Sequence, residues 1–361
     1  FDLAAGPLFR GRLIRLGPDD HVLSLFLHHV VSDGWSAGVL RQELTALYDA
    51  FAAGRPSPLP PLAVQYADYA VWQRERLTGD VLDAQLAYWR AQLDGAPALD
   101  LPTDRPRPPV RSAAGATVDF VVSEETVAGL RAVTRDSGAT MFMTLLSAFT
   151  VLLGKYARQD DIVLGSPVAN RSHAEIENLI GFFVNTLVLR TDLSGDPTFT
   201  ELIGRVRDVA LAAYVHADVP FEQLVDALAP ERDRSRTPIF QVMFSYEQDD
   251  GEELGLPSLD AAMLPAGEQR SLYDLRLVLM DMGGGVGGAI EYSTDLFDRS
   301  TVERMVGQLT VLLEAVAADP GRHLSELPAL GTEERRRLVR DWNDTATPLT
   351  GTGGAHSLIT A

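Results

Sequence analysis

Between His21 and Trp35 the chain changes its hydrophobic period, and two adjacent histidines stand at the change. From His21 to Leu27 the residues alternate, with Val22, Ser24 and Phe26 on one face and Leu23, Leu25 and Leu27 on the other, which predicts a strand. After Gly34 the residues Trp35, Val39, Leu40, Leu44, Leu47, Tyr48 and Phe51 recur at three- and four-residue steps, which predicts a helix. The join reads His28-His29-Val30-Val31-Ser32-Asp33-Gly34. A strand period carries His28 and His29 to opposite sides, so at most one of them faces any single cavity. A histidine at a strand end before a tight turn is placed for proton transfer near neutral pH. It is equally placed to be a core side chain held by a backbone bond, and spacing alone leaves both readings open.

Composition narrows the function classes. The 361 residues suffice for two lobes, each with its own core. A hydrophobic share of 46% with 22% charged residues is that of a globular protein. The chain has no cysteine, which excludes disulfides, thiolate metal sites and a cysteine nucleophile. Its net charge of −19 argues against a nucleic-acid partner, because phosphate binding needs a basic face. The uncharged run from Ser137 to Gly154 carries Ser137, Thr140, Thr144, Ser147 and Thr150, and reads as a buried helix instead of a membrane span. The expectation is a piece of a cytoplasmic enzyme, with no membrane and no nucleic acid among its partners.

Along the chain, residues 10–28 read as a β-hairpin turning at Gly17-Pro18-Asp19-Asp20. Helices follow over 38–53, 66–78 and 81–93, and the Pro- and Arg-rich stretch 101–111 reads as an extended connection. A second αβ unit then begins with a strand over 117–122 and a helix over 124–136 with Ser123 as its N-cap. The buried helix at 140–157 and core strands at 161–167 and 180–192 come next. Helices at 199–216 and 220–228, a strand at 239–246 and a hairpin of 274–282 with 286–293 follow. Ser300-Thr301-Val302-Glu303 reads as a capping box opening the last long helix, and Gly351-Thr352-Gly353-Gly354 as a linker. This divides the chain into 1–100, 101–330 and 331–361.

The block from Leu27 to Ser36, Leu27-His28-His29-Val30-Val31-Ser32-Asp33-Gly34-Trp35-Ser36, resembles the signature of condensation domains of nonribosomal peptide synthetases. Four further blocks agree with that family in order: Tyr66-Ala67-Asp68-Tyr69-Ala70-Val71-Trp72, Ile180-Gly181-Phe182-Phe183-Val184-Asn185-Thr186-Leu187, His216-Ala217-Asp218-Val219-Pro220-Phe221-Glu222 and Arg232-Asp233-Arg234-Ser235-Arg236-Thr237-Pro238. The resemblance implies an α/β protein of two chloramphenicol acetyltransferase-like lobes with the active site in the channel between them. Because the chain opens on Phe1-Asp2-Leu3, without Met and without two motifs expected upstream, it also implies an N-terminally truncated first lobe, and with it an aggregation-prone chain. Residues 331–361 then lead toward an adenylation domain, whose approach Asp341-Trp342-Asn343-Asp344-Thr345-Ala346 is similar to.

The implied reaction joins a donor aminoacyl or peptidyl thioester to the amine of an acceptor aminoacyl thioester, both carried on phosphopantetheine arms of carrier domains. The domain itself is expected to bind no cofactor and no metal, and its products to be secondary metabolites such as antibiotics. A thioester is already activated, so no covalent enzyme intermediate is needed, and no G-x-S-x-G elbow is present. One imidazole can take a proton from the attacking nitrogen or hold the amine and oxyanion by hydrogen bonds. By the family match His29 is the catalytic histidine and His28 a structural one. Asp33 has two readings, a general acid or an anchor of the turn; the anchor is favoured, through an ion pair with Arg171 across the lobes, and Gly34 is expected to allow close backbone approach. Trp35, Ser166 and Asn185 are placed on the substrate channel. Tyr66, Tyr69 and Trp72 are expected in the core, as are Phe182, Phe183 and Val184, and His216 as a helix C-terminal cap. Two alternatives stay open: a stand-alone acyltransferase using a CoA thioester, whose plant-type family adds a D-F-G-W-G block absent from this chain, and a non-catalytic condensation-like domain that recruits partner proteins.

Overall fold

Alternation over residues 9–27 produces β1 (Phe9–Arg15) and β2 (His21–Leu27), a two-stranded antiparallel sheet with Phe9 opposite Leu27 and Arg15 opposite His21. The computed structural model describes residues 1–228, 233–248, 256, 259–262, 264 and 270–346. The expected 351–354 linker and Arg232 of the last matching block lie outside the described residues. Three helices follow the hairpin: α1 (Gly34–Ala52), α2 (Tyr66–Arg76) and α3 (Gly79–Leu93). Helix α1 starts four residues earlier than its apolar spacing suggests, because Asp33 caps it and ends the preceding turn.

The larger unit is built from β3 (Gly115–Val122), α4 (Glu124–Asp136), α5 (Met141–Ala157), β4 (Asp161–Val168), the single turn α6 (Ala174–Glu177) and β5 (Asn185–Asp192). It continues through α7 (Phe199–Val215), α8 (Phe221–Leu228), β6 (Val242–Gln248), β7 (Leu275–Asp281), β8 (Val286–Ser293), α9 (Arg299–Ala318) and α10 (Thr332–Val339). Its strands form a six-stranded mixed sheet in the order β3-β8-β7-β6-β4-β5, with β4, β6 and β7 parallel. Helices α5, α7 and α9 pack against this sheet, and α4 packs on α5 and α9. Ser123, Thr140 and Thr198 cap α4, α5 and α7 by accepting backbone N–H groups, as their residue types favour. Every residue of α5 from Met143 to Gly154 is buried, so the uncharged run is a core helix. Among the described residues no single helix is long and apolar enough to cross a membrane.

Three further details differ from the sequence reading. The last long helix begins at Arg299 after Asp298, and the expected 300–303 capping box does not form. Its members have other partners: Arg299 pairs with Glu303 at 2.8 Å, and Thr301 Oγ donates to Asp104 Oδ1 at 2.9 Å, tying the extended connection to α9. Residues 180–184 are not strand, since β5 begins only at Asn185. Helix α3 precedes residue 100 yet packs in the larger unit's core: Trp89 is 2% exposed there and donates its indole N–H to the His216 carbonyl at 3.0 Å. Arg190 of β5 holds the end of α3 by donating to the carbonyls of Gln92 and Asp94.

Candidate active site

The last bond between the hairpin's two arms runs from His28 N–H to the Leu8 carbonyl at 2.9 Å, and the chain leaves the strand there. His28 Nδ1 accepts the Val30 N–H at 3.0 Å, which folds residues His29–Val31 into one 3-10 turn. Both histidines therefore lie beyond the strand, and strand alternation no longer decides where they point. The His28 ring meets Phe1 edge-on at 5.6 Å. The His29 ring is exposed and meets Phe182 edge-on, with centroids 5.1 Å apart and planes at 89°. His29 Nδ1 lies 2.5 Å from the Ser32 carbonyl oxygen. A carbonyl only accepts, so Nδ1 donates in this contact, and any lone pair of the ring is on Nε2.

Asp33 follows in extended conformation and caps α1. Its Oδ1 accepts from Ser36 N–H at 2.8 Å, Ser36 Oγ at 2.7 Å and Arg171 Nη2 at 3.2 Å. Its Oδ2 accepts from the N–H groups of Phe183 at 2.9 Å and Val184 at 3.2 Å. Those bonds take the amides that a strand over 180–184 would have used. The Asp33 and Arg171 side chains are each 1% exposed. Arg171 Nη1 also donates to the carbonyls of Ile176 and Leu179, and the guanidinium lies 4.2 Å from the Phe183 ring centre. Burial pushes the Asp33 pKa up, but the Ser36 and Phe183 hydrogen bonds and the Arg171 charge outweigh it, leaving the carboxyl below its ordinary value. A buried ion pair is tolerable when its remaining polar atoms are satisfied; both carboxylate oxygens are, while Arg171 Nε is buried without a hydrogen-bond partner.

Sequence reasoning does not place Ser36, Gly181 or Phe182 at the site; the structure does. Ser36 is fully buried, and its hydroxyl accepts from Gly181 N–H at 3.0 Å and Arg171 Nη2 at 2.9 Å. Its position three residues after Asp33, where a capped helix turns back on its cap, is the available signal. Tyr66, read as core packing, also donates its hydroxyl to the Phe182 carbonyl at 2.8 Å. Burial, then the nearby Asp33 charge, raises the Tyr66 pKa, which keeps it a donor. A Cβ on Gly181 would overlap the Tyr66 ring, so only glycine fits under it. Gly181→Ala should displace the tyrosine and destabilise the protein by about 1–3 kcal/mol. Urea unfolding followed by far-UV circular dichroism measures it, and an unchanged midpoint would mean that the ring is not held there.

The remaining site candidates disperse. Trp35 is half exposed and donates its indole N–H to the Glu177 carbonyl at 2.8 Å, beside Arg171. A Cβ on Gly34 would meet nothing within 4 Å, so the chain's own packing does not demand close approach there. Ser166 is 2% exposed, and the pairing of Gly165 with Met243 puts it on the face of Phe244, which packs on Phe142 and Phe149 of α5. It faces the helix layer, not a channel. Asn185 is likewise committed elsewhere: its amide donates to Ala217 and Val219 carbonyls, and its oxygen accepts from Thr186 and Phe221 N–H groups. His216 ends α7, with its ring stacked on Tyr88 at 3.9 Å.

The sequence pattern of the family described as "Condensation domain" matches residues 1–339. The chain belongs to the condensation domain family. A polypeptide of the linear gramicidin synthase of Brevibacillus parabrevis is 48% identical over 99% of this chain, and malpibaldin synthetase of Mortierella alpina is 46% identical over 99%. The chain spans 7% and 6% of the length of these two relatives. Among solved structures, the X-domain from teicoplanin biosynthesis superposes with a TM-score of 0.83 at 34% identity, covering 91% of this chain and 76% of that one. A four-domain nonribosomal peptide synthetase bound to AMP and glycine superposes with a TM-score of 0.82 at 30% identity, covering 93% of this chain and 26% of that one. This condensation domain thus has the mixed α/β, chloramphenicol acetyltransferase-like fold of its family.

Proposed function

We propose that this chain catalyses peptide-bond formation between two carrier-bound thioesters, in the cytoplasm, as part of a nonribosomal peptide synthetase. The observation that carries the reading is His29: an exposed imidazole whose Nδ1–H is tied to the Ser32 carbonyl, held beside a buried Asp33–Arg171 pair. In the reaction the acceptor's amine nitrogen attacks the donor's thioester carbonyl. Nε2 of His29 accepts a hydrogen bond from that nitrogen and takes its proton as the C–N bond forms. The C–S bond then breaks, and the departing thiolate takes the proton and leaves as the donor carrier's thiol. Asp33 and Arg171 hold the turn and do not reach the substrate, because both carboxylate oxygens are engaged by the protein. The substrates arrive on phosphopantetheine arms of upstream and downstream carrier domains, with an adenylation domain adjoining.

The test mixes the full polypeptide that carries this chain with a donor aminoacyl carrier and an acceptor aminoacyl carrier, and reads intact masses. A dipeptidyl acceptor carrier is expected, together with free donor thiol. One further reading has an observation in its favour: a structurally similar X-domain was solved in complex with OxyB. A recruitment domain of that kind would bind a partner protein and leave both carriers unchanged. Acylation of the acceptor by acetyl-CoA in place of the loaded donor would instead support the CoA-dependent reading.

A further inference from the structure

We infer that Phe182 is a positioning residue that sets the orientation of the His29 ring; the inference rests on the role proposed for His29. Three independent ties pin the backbone on either side of Phe182. Ser36 Oγ accepts Gly181 N–H at 3.0 Å, Tyr66 Oη donates to the Phe182 carbonyl at 2.8 Å, and Asp33 Oδ2 accepts from Phe183 and Val184 N–H groups. The ties come from α1, its cap and α2, so residues 181–184 are located by elements more than a hundred positions away in sequence. Phe183 turns inward, 2% exposed, under Arg171 and against Tyr66 and Tyr69. Phe182 is the neighbour whose ring meets His29, at 5.1 Å and near-perpendicular planes, the favoured edge-to-face arrangement.

The hydrogen bond to Ser32 fixes one corner of the imidazole but leaves the ring free to swing about that corner. The Phe182 contact supplies the second constraint, and two constraints define where the Nε2 lone pair points. Misplacing a reacting group by about 1 Å costs up to about a hundredfold in rate, so the orientation matters even though Phe182 touches no reacting atom.

The test uses the full polypeptide and loaded carriers. Phe182→Leu keeps an apolar side chain without the ring, and is expected to lower the single-turnover rate about 10–100-fold, with the half-saturating acceptor concentration and the unfolding midpoint near parental. Phe182→Tyr, which restores the ring, should recover most of the rate. Nuclear Overhauser contacts in spectra of the His29 imidazole should define one ring orientation in the parent and more than one in Phe182→Leu, with the Ser32 hydrogen bond kept in both. A Phe182→Leu variant with parental rate and parental imidazole spectrum overturns the inference, as does a loss carried wholly by weaker acceptor binding. If Phe182→Leu fails to fold, Phe182→Met is judged by the same criteria. His29→Ala separates the two levels. Normal condensation by that variant removes the functional reading and this one with it; an inactive His29→Ala beside a normal Phe182→Leu removes the positioning role alone.

Discussion

Replacing His29 with Ala should lower dipeptide formation on loaded carriers by about 10²–10⁴-fold, the range that a positioned proton acceptor contributes. The unfolding midpoint should barely move, because the ring is exposed and its contacts are one carbonyl and one aromatic edge. His28→Ala should behave in the opposite way. It removes the acceptor for Val30 N–H at the head of the turn, so it should cost about 0.5–2 kcal/mol of stability and leave most of the rate. Rapid-quench measurement of the dipeptidyl carrier, run beside thermal melts, distinguishes the two histidines. A His29→Ala enzyme within a factor of a few of the parent would take His29 out of the mechanism.

The second large effect is on folding. Breaking a buried ion pair by removing one partner typically costs about 3–5 kcal/mol, and the two halves of this pair are not equivalent. Asp33→Ala leaves the buried N–H groups of Ser36, Phe183 and Val184 without their acceptor, together with a buried guanidinium. Arg171→Ala keeps the carboxylate's other donors but leaves its charge unpaired and the Ile176 and Leu179 carbonyls without their donor. A double-mutant cycle by urea unfolding should show coupling of about 0.5–3 kcal/mol; additive losses would mean that the contact contributes nothing of its own. The pH dependence has a definite sign. The folded-state pKa of Asp33 is held below the ordinary carboxylate value, so its contribution is complete above about pH 4 and disappears as pH falls through the lower, folded-state value. The parent should therefore lose its advantage over Asp33→Ala in acid, and a constant gap between pH 7 and strongly acidic solution would contradict the assignment.

Much of this architecture can be read from local pattern. The alternation of residues 21–27, the cap at Ser123 and the uncharged run at 137–154 are short-range signals, and each element lies where its period puts it. The failures share a cause. Residues 180–184 form an apolar run that suits a core strand, but their amides are taken by Asp33 and Ser36, about 150 positions earlier, and no local pattern reports that. The histidine pair meets different neighbours, His28 the Phe1 ring and His29 the Phe182 ring, although a 3-10 turn and not a strand carries His29. Ser166 and Asn185 look like polar residues at strand ends, and only the register and the 217–221 turn show that they face inward. Glycine at 181 carries no visible meaning until Tyr66 is seen to lie over it.

The seam that carries the histidine also limits how the molecule can move. Asp33, Trp35, Ser36 and Tyr66 all bond across to the stretch 171–184, and all but the Trp35 bond are buried or half-buried. Separating the two units there would break these hydrogen bonds and the ion pair together. Any displacement of one unit against the other that keeps these bonds has to pivot about the seam, and the imidazole beside it is then the part carried least.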